Sequence, residues 1–433
     1  MGCCTGNAPL KTFKKAQKSV DYMFFDFLKM NYFESIKSVV YVKGKNVQLL
    51  FSELVEECCK NKNQSKVDLC KFLINKFSCE KSTIKKFIYS KEYYPIYLIA
   101  ELISQLPERK KNKFISEFNE SIELMKFGVS KTWVKIPKKL SSELAWLCGA
   151  IAADGWISRD RFGKERVGIV DQNKNTVLRA KEYFEKLFEY SPHFYKKKDG
   201  AYWILIADSK IFAKFFVTFF DFHYGKKSGD VSEPSLIKNS SYSLDFISGV
   251  LCFDGSVELD GTVSLGCNSK VLVDEAKKIL CNNGLPVKFS RPEANAYYIR
   301  SSSLLSESNI RKWLDLLGGD LEKARRLNYL VNGFSEKIDS ESTALKLLEN
   351  FVGTSRKNNQ TLLLIFNIIK QSKSIQKRDL LKQSKVAHAT LYKYLFILRK
   401  AKIINWKQNN FGKGTVSIYS YNFNIQDWRV PSS

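Results

Sequence analysis

The sequence predicts an α+β protein whose central part repeats one unit: helix, two strands, helix, two strands, helix. Three observations support this prediction. The stretches LCGAIAADGWI (147–157) and ISGVLCFDGSV (247–257) are small-residue apolar runs that carry a Gly, end in Asp-Gly and lie 100 residues apart. After each run, β-branched and aromatic residues alternate with polar ones, which is typical of half-buried strands. Each copy then closes with apolar residues at helical spacing.

Length, composition and charge indicate a multi-domain protein with an acidic partner. The 433 residues are 44% hydrophobic, which is enough to build cores in roughly two to four domains. The formal net charge is +26, and nucleic acid is the commonest partner of so basic a protein. No apolar run approaches the ~20 residues of a membrane span. We therefore expect no membrane association and a cytoplasmic, nucleoid-associated location.

The cysteines do not indicate a metal site or a disulfide framework. All ten lie in apolar runs, as adjacent pairs or singly, without a CxxC spacing, and the chain has only three histidines. A zinc site held by thiolates therefore has little support. We expect buried free thiols in a reducing cytosol.

The N-terminal domain is predicted over residues 1–127 and is mainly helical. Residues 41–51 are predicted as a hairpin, residues 66–105 as helices, and ERKKNK (108–113) as a linker before a helix that ends near Phe127. The short helices resemble a helix-turn-helix, and an ordinary small helical bundle is the alternative.

The central domain is predicted over residues 128–335, with repeats at 140–222 and 240–320. Small residues recur every four positions in the first run, including Gly149 and Ala153, so another helix backbone can approach closely. Gly249 holds the matching place in the second run. Packing of the two helices would bring their last residues, Asp154 and Asp254, close together.

Two carboxylates at the negative ends of two helices repel each other and are disfavoured by both helix dipoles. A divalent metal removes this conflict, because Mg²⁺ prefers oxygen ligands and commonly keeps waters and contacts phosphate. Gly155 and Gly255 follow the aspartates and are predicted to allow a sharp exit and leave room at the site. The alternative, a simple turn, does not explain why the arrangement occurs twice.

The C-terminal domain, residues 336–433, is predicted to contain three helices followed by a strand, a Gly-containing loop and a strand. From Ser355 onward there are 15 Lys or Arg and two acidic residues, a net of +13. This layout predicts a winged helix, whereas a helical cap on the neighbouring domain leaves the basic hairpin unexplained. The DNA contacts predicted here are Lys385, Thr390, Lys393 and Lys413.

The two motifs, LCGAIAADG and ISGVLCFDG, resemble the signature motifs of the LAGLIDADG homing endonucleases, especially archaeal single-chain members. The resemblance covers residues 130–330 and implies two αββαββα halves about a pseudo-twofold axis, whose sheets form a saddle over the DNA major grooves. It implies that Asp154 and Asp254 bind Mg²⁺ (or Mn²⁺) and direct hydrolysis of both strands. The implied metal site also includes Ala153, Phe253, Gly155 and Gly255.

The resemblance also implies that residues at the end of the second strand approach the site. These are Asp171 and Gln172 in one copy and Cys267 and Asn268 in the other. The basic residue often found there is not evident, so Lys198 and Lys288 are the candidate substitutes, and slow or lost turnover is expected. The predicted groove-reading residues are Arg159, Arg161, Lys164, Arg166, Lys196, Lys197, Arg291, Asn295 and Arg300.

The leading hypothesis is a monomeric, Mg²⁺-dependent, site-specific double-strand DNA endonuclease that acts in intron homing on a long asymmetric target. Phosphate contacts would supply affinity and base-edge contacts would supply choice. A second hypothesis is a catalytically weak or inactive DNA-binding transcription regulator with the same fold. A third is a maturase that binds intron RNA.

Overall fold

The computed structural model describes residues 25–30, 39–90, 92–128, 130–198, 200–225, 229, 231–258, 261–290, 296–301, 307–318, 322–332, 340–352, 356–401, 403–411 and 414–422. Over these ranges the fold is α+β, as the sequence predicts. Among the described helices, none has the length and apolar content to cross a membrane. The chain divides into two compact units: residues 1–253 with 269–275, and residues 254–268 with 276–433.

The N-terminal part of the first unit is a small antiparallel sheet with helices. Its strands are β1 (Val40–Lys43), β2 (Tyr94–Pro95), β3 (Leu124–Phe127) and β4 (Val134–Lys135), in the order β2-β1-β3-β4. A 3-10 helix spans Phe27–Met30, and the α-helices are α1 (Val47–Lys62), α2 (Lys66–Phe77), α3 (Lys81–Ser90), α4 (Ile96–Ser104) and α5 (Glu108–Ser121).

Two predictions in this part are wrong. The hairpin predicted over 41–51 is instead β1 followed by α1, because Leu50, Leu54 and Cys58 recur every four positions and bury one helix face. The segment 108–113 is the first part of α5, and β3 occupies the residues predicted to end that helix. The lysines of the supposed linker lie on the surface of an amphipathic helix.

The first repeat has the predicted element order. Its elements are α6 (Ser142–Asp154), β5 (Gly155–Arg159), β6 (Glu165–Asp171), α7 (Lys174–Phe188), β7 (His193–Lys196), β8 (Trp203–Ala207) and α8 (Lys210–Phe220). The Ser141 hydroxyl accepts a hydrogen bond from the Leu144 N–H and caps α6. The sheet is antiparallel in the order β5-β6-β8-β7. Alternate residues such as Val167, Ile169 and Leu205 are buried, which defines the covered face of the sheet.

The second repeat has the same order of elements and of strands. After the short helix α9 (Ser235–Lys238) come α10 (Ser243–Asp254), β9 (Gly255–Val257), β10 (Val263–Cys267), α11 (Lys270–Asn282), β11 (Val287–Phe289), β12 (Tyr297–Ser301) and α12 (Glu307–Leu317). The antiparallel sheet runs β9-β10-β12-β11. Val263, Leu265 and Ile299 are buried and mark its covered face.

The C-terminal part of the second unit is helical with a three-stranded sheet. Its elements are α13 (Glu322–Asn332), α14 (Glu341–Val352), α15 (Arg356–Ser372), β13 (Ser374–Gln376), α16 (Lys377–Ser384), α17 (His388–Lys400), β14 (Ile404–Phe411) and β15 (Gly414–Tyr421), with strand order β13-β15-β14. Leu362, Phe366, Leu395 and Leu398 belong to one core here, which Leu330 of α13 joins.

Helix α13 also contacts the second repeat. Its Arg326 donates a hydrogen bond to the Val257 carbonyl of β9. A Cβ built on Gly261, in the turn between β9 and β10, would lie 2.7 Å from a Leu330 methyl. Since Leu330 lies in the C-terminal core as well, α13 joins the β9–β10 hairpin to that core.

The eight described cysteines are all free, as predicted, but three are not buried: Cys281 is exposed, and Cys59 and Cys267 are partly exposed. Burial raises the pKa of the Cys58 thiol to about 12 and that of Cys148 well above its usual value. At neutral pH both side chains therefore stay protonated and serve as small apolar groups.

A buried carboxyl group should make the stability of the first unit pH-dependent. Glu233 is 5% exposed, and burial raises its pKa. Because the pKa of Glu233 is higher in the folded state, protonation of its carboxyl group favours folding at low pH. This stabilisation is lost as the pH rises through the pKa of the folded state. Glu233→Gln is therefore expected to raise the thermal unfolding midpoint at pH 7, and the gain should disappear below pH 4.5. An equal gain at both pH values would contradict this assignment.

Candidate functional site

Helices α6 and α10 cross with their backbones in direct contact. A Cβ on Gly149 would lie 2.0 Å from the Phe246 carbonyl oxygen, and one on Gly249 would lie 2.1 Å from the Trp146 carbonyl oxygen. The contact is reciprocal, because each glycine meets the carbonyl of the residue three positions before the other. No residue with a side chain fits at either position, so the two glycines set the distance between the helices.

Polar and aromatic contacts support this crossing. The Ser142 hydroxyl donates to the Asp245 carboxylate at 2.6 Å, near the N-termini of both helices. Burial raises the pKa of Asp245. The rings of Trp146 and Phe253 have centroids 6.0 Å apart. The helix pair is thus held along its length by more than the small residues at its centre.

Each of the two helices ends at its motif aspartate, and a strand begins at the next residue. Asp154 and Asp254 are half-buried, whereas the preceding residues Ala153 and Phe253 are buried. The predicted reason for the following glycine needs correction. Gly155 has φ −91° and ψ 172°, which any residue adopts. Glycine is needed because a Cβ would lie 2.5 Å from the Ile151 Cα.

The chemistry of these residues suits Mg²⁺. Across the residues that the structure describes, no group of three or more His, Cys, Asp or Glu side chains could hold a metal. Mg²⁺ keeps several waters when bound and commonly takes one or two carboxylates plus phosphate, so a carboxylate such as that of Asp154 or of Asp254 is the kind of ligand it prefers.

The residues at the ends of the second strands have different surroundings. The Asp171 carboxylate accepts a hydrogen bond from the Asn173 N–H at 2.5 Å, which shapes the turn into α7. Asp171 lies on the same side of β6 as Val167 and Ile169, which is the covered face of the sheet. Gln172 and Asn268 are exposed. Asp171 thus has a local structural role that the sequence did not suggest.

The two candidate lysines lie on different features. Lys198 is exposed in the turn between β7 and β8. Lys288 lies on β11 opposite Arg300 of β12, on the face away from the buried residues. The predicted residues Arg291, Asn295 and Lys413 lie outside the described residues.

Three of the six predicted groove-reading cations of the first repeat are paired with acids. Asp208 lies 2.8 Å from the Arg166 Nε and 3.2 Å from the Lys164 Nζ. The buried Glu165 lies 3.9 Å from the Arg159 Nε. Lys196 falls on the covered-face side of β7, with its Nζ 5.9 Å from the Trp203 ring. The Lys197 N–H donates a hydrogen bond to the Tyr202 carbonyl and so extends the hairpin of β7 and β8.

In each repeat, an aromatic ring lies over a strand glycine on the face of the sheet opposite the covered face. A Cβ on Gly168 would lie 2.2 Å from the Trp156 ring, and one on Gly266 would lie 2.1 Å from the Tyr298 ring. The signal was present in the sequence, because an isolated Gly in a strand often marks a close approach. The sequence alone could not identify which ring approaches, since Trp156 comes from the first strand and Tyr298 from the fourth.

In the second unit, Glu258 joins two predicted DNA contacts. Its carboxylate lies 3.9 Å from Arg300 of β12 and 2.5 Å from the Lys393 Nζ of α17. Lys385 is exposed directly after α16, and Thr390 is half-buried in the first turn of α17. Glu258 therefore neutralises positive charge where the C-terminal helices meet the second repeat.

Removing this acid should strengthen binding to a polyanion. Glu258→Gln is expected to lower the Kd for duplex DNA about threefold to tenfold at low salt, because Lys393 and Arg300 become available to phosphate. The slope of log Kd against log salt should steepen by about one or two phosphate contacts. Fluorescence anisotropy over a salt series measures both.

A matched control is Glu189→Gln, which removes a different exposed acid that pairs with Lys135. It should leave the Kd and the slope unchanged, because Lys135 is not one of the predicted DNA contacts. Weaker DNA binding by Glu258→Gln would show instead that the carboxylate holds Lys393 in a binding position.

No protein-family model matches this chain, and no curated protein matches it. Among solved structures, part of the chain is similar to I-DmoI in complex with DNA and manganese, with 16% identity and a TM-score of 0.31 over 42% of this chain and 98% of that one. The N-terminal LAGLIDADG domain of DUF199/WhiA has 15% identity and a TM-score of 0.28, covering 41% of this chain and 84% of that one. The homing endonuclease I-WcaI, bound to its DNA recognition sequence, has 17% identity and a TM-score of 0.31, covering 43% and 87%.

Proposed function

We propose that this protein is a site-specific DNA endonuclease built on two LAGLIDADG-type repeats related by a pseudo-twofold axis. One observation carries the proposal: two small-residue helices cross at Gly149 and Gly249 through reciprocal backbone contacts, and each ends at an aspartate. A crossing that serves only stability has no need of a carboxylate at both negative helix ends.

The proposed site consists of Asp154 and Asp254, which would hold Mg²⁺ or Mn²⁺. When bound, such an ion activates water and stabilises the leaving oxygen of a phosphodiester. The exposed amides of Gln172 and Asn268 would orient that water by hydrogen bonding. Lys288, or Lys198 in the other repeat, would bind the phosphate and hold it in place.

The proposed domains are an N-terminal domain over 1–127, the two repeats over 128–335 and a winged helix over 336–433. Support for the last comes from the order α15-β13-α16-α17-β14-β15 and from the exposed Lys385 at the start of the turn before α17. This arrangement suits a recognition helix followed by a β-hairpin wing. The winged helix would extend the contacts along the duplex and fits a long asymmetric target.

The test uses the purified full chain and a DNA fragment that carries its own locus with the gene removed. We expect cleavage of both strands at one position in Mg²⁺ or Mn²⁺, and none in EDTA. Specific binding without cleavage in either metal would overturn the nuclease and support the transcription regulator, a candidate favoured by the turn-forming role of Asp171. Selective rescue of intron splicing without DNA cleavage would support the RNA maturase.

A further inference from the structure

The tip of the β5–β6 hairpin presents an apolar ring to solvent. Phe162 is 80% exposed, more than any other large apolar side chain that the structure describes. We propose that Phe162 is a DNA contact whose ring packs against the bases of the duplex, adding affinity that does not depend on charge. The proposal rests on the proposed function, since it adds a residue to the DNA interface of the first repeat.

The turn that carries Phe162 is held by its own hydrogen bonds. The Asp160 carboxylate accepts from the N–H groups of Phe162 and Lys164, both at 2.9 Å. The Gly163 N–H donates to the Asp160 carbonyl at 2.9 Å. Gly163 has φ +73°, which favours glycine. Because the backbone is fixed before any partner arrives, binding through Phe162 costs little further conformational entropy.

The surroundings of the ring indicate the kind of partner. The Arg161 guanidinium lies over the Phe162 ring, 4.8 Å from its centroid, and Arg159 and Lys164 flank the same turn. Arg159 and Lys164 already pair with Glu165 and Asp208, so Arg161 is the cation that indicates the partner. An apolar protein surface would offer the Arg161 guanidinium no acidic group. Duplex DNA offers both components, because phosphates can bind the guanidinium and base faces or steps can accept an aromatic side chain.

A single exposed phenylalanine is ordinary on a protein surface and indicates nothing by itself. Phe162 differs because its turn is fixed by Asp160 and its ring is stacked with a cation. Phe289 provides the internal comparison. It is 53% exposed and has the Lys277 Nζ 4.0 Å above its ring, but its register places it on the side of Val287, the covered face of its sheet.

The test is fluorescence anisotropy with a labelled random-sequence duplex about three helical turns long, titrated with the full chain over a salt series. Phe162→Ala is expected to raise the Kd about tenfold at every salt concentration, as for the loss of a ring stacked on a base. The salt slope should not change. Phe162→Trp should restore binding, whereas Arg161→Gln should reduce the slope by about one phosphate contact.

Phe289→Ala is the matched control and should leave the Kd unchanged. Since Phe162 is exposed, Phe162→Ala should unfold at the wild-type temperature. If the wild type binds DNA and Phe162→Ala binds with the same Kd, this inference is overturned and the proposed function is not. The same holds if Phe162→Ala changes only the salt slope. Absence of any wild-type binding to duplex DNA overturns the inference and the proposed function together.

Discussion

Gly149→Ala is expected to destabilise the first unit by about 3 kcal/mol, at the upper end of the usual cost of overpacking a core. The added methyl group would meet the Phe246 carbonyl oxygen, and neither backbone can yield without separating the helices. Thermal unfolding followed by circular dichroism should show a midpoint roughly 5–10 °C lower. DNA cleavage should be lost as well, because the two motif aspartates end the separated helices.

Gly249→Ala should have the same effect, because its Cβ would meet the Trp146 carbonyl oxygen at nearly the same distance. The double variant should cost less than the sum of the two single variants, because helices already separated by one methyl group accept the second more easily. Full additivity, or a single variant as stable as the wild type, would show that the helices do not touch at these glycines.

Asp154→Asn and Asp254→Asn are each expected to reduce the cleavage rate by about 10²–10³-fold, the usual loss when one electrostatic contribution to a transition state is removed. Asparagine keeps the size of the side chain and removes the charge that holds a divalent cation. Single-turnover cleavage of the locus fragment in Mg²⁺ measures the effect. The Kd for the same DNA in EDTA should stay within about threefold of wild type, since phosphate contacts dominate affinity.

Asp245→Asn is the matched control, because it changes another acid of α10. The asparagine can still accept a hydrogen bond from the Ser142 hydroxyl. Its cleavage rate should equal that of the wild type. Equal losses in all three variants would show that the acids act through the stability of the helix pair, and the proposed metal site would then be wrong.

The repeated elements were predictable because their signals are local. Apolar periodicity and turn residues identified both sets of strands and helices, and the small residues at matching places identified the helix contact. The prediction of a hairpin over 41–51 was wrong for a physical reason. Leu50 belongs to a helical pattern that extends to Cys58, beyond the window in which strand and helix patterns look alike.

The surroundings of the site were less predictable, because they depend on contacts between residues far apart in sequence. Nothing near Arg166 in the sequence indicates that Asp208 pairs with it. Likewise, the contact between Glu258 and Lys393 joins residues 135 positions apart. A run of basic residues predicts a polyanion partner, but the tertiary structure decides which cations are already neutralised.

The contacts of α13 would restrict the spacing between the two parts of a DNA target that the second repeat and the C-terminal helices contact. Arg326 and Leu330 fasten this helix to the β9–β10 hairpin, and Leu330 also lies in the core of the C-terminal helices. In the proposed function, the second repeat and the C-terminal helices would contact one duplex at a fixed rotation about the DNA axis relative to each other. One inserted base pair turns the outer part of the site by about one tenth of a helical turn. The spacing of the target would thus be recognised as strictly as its bases.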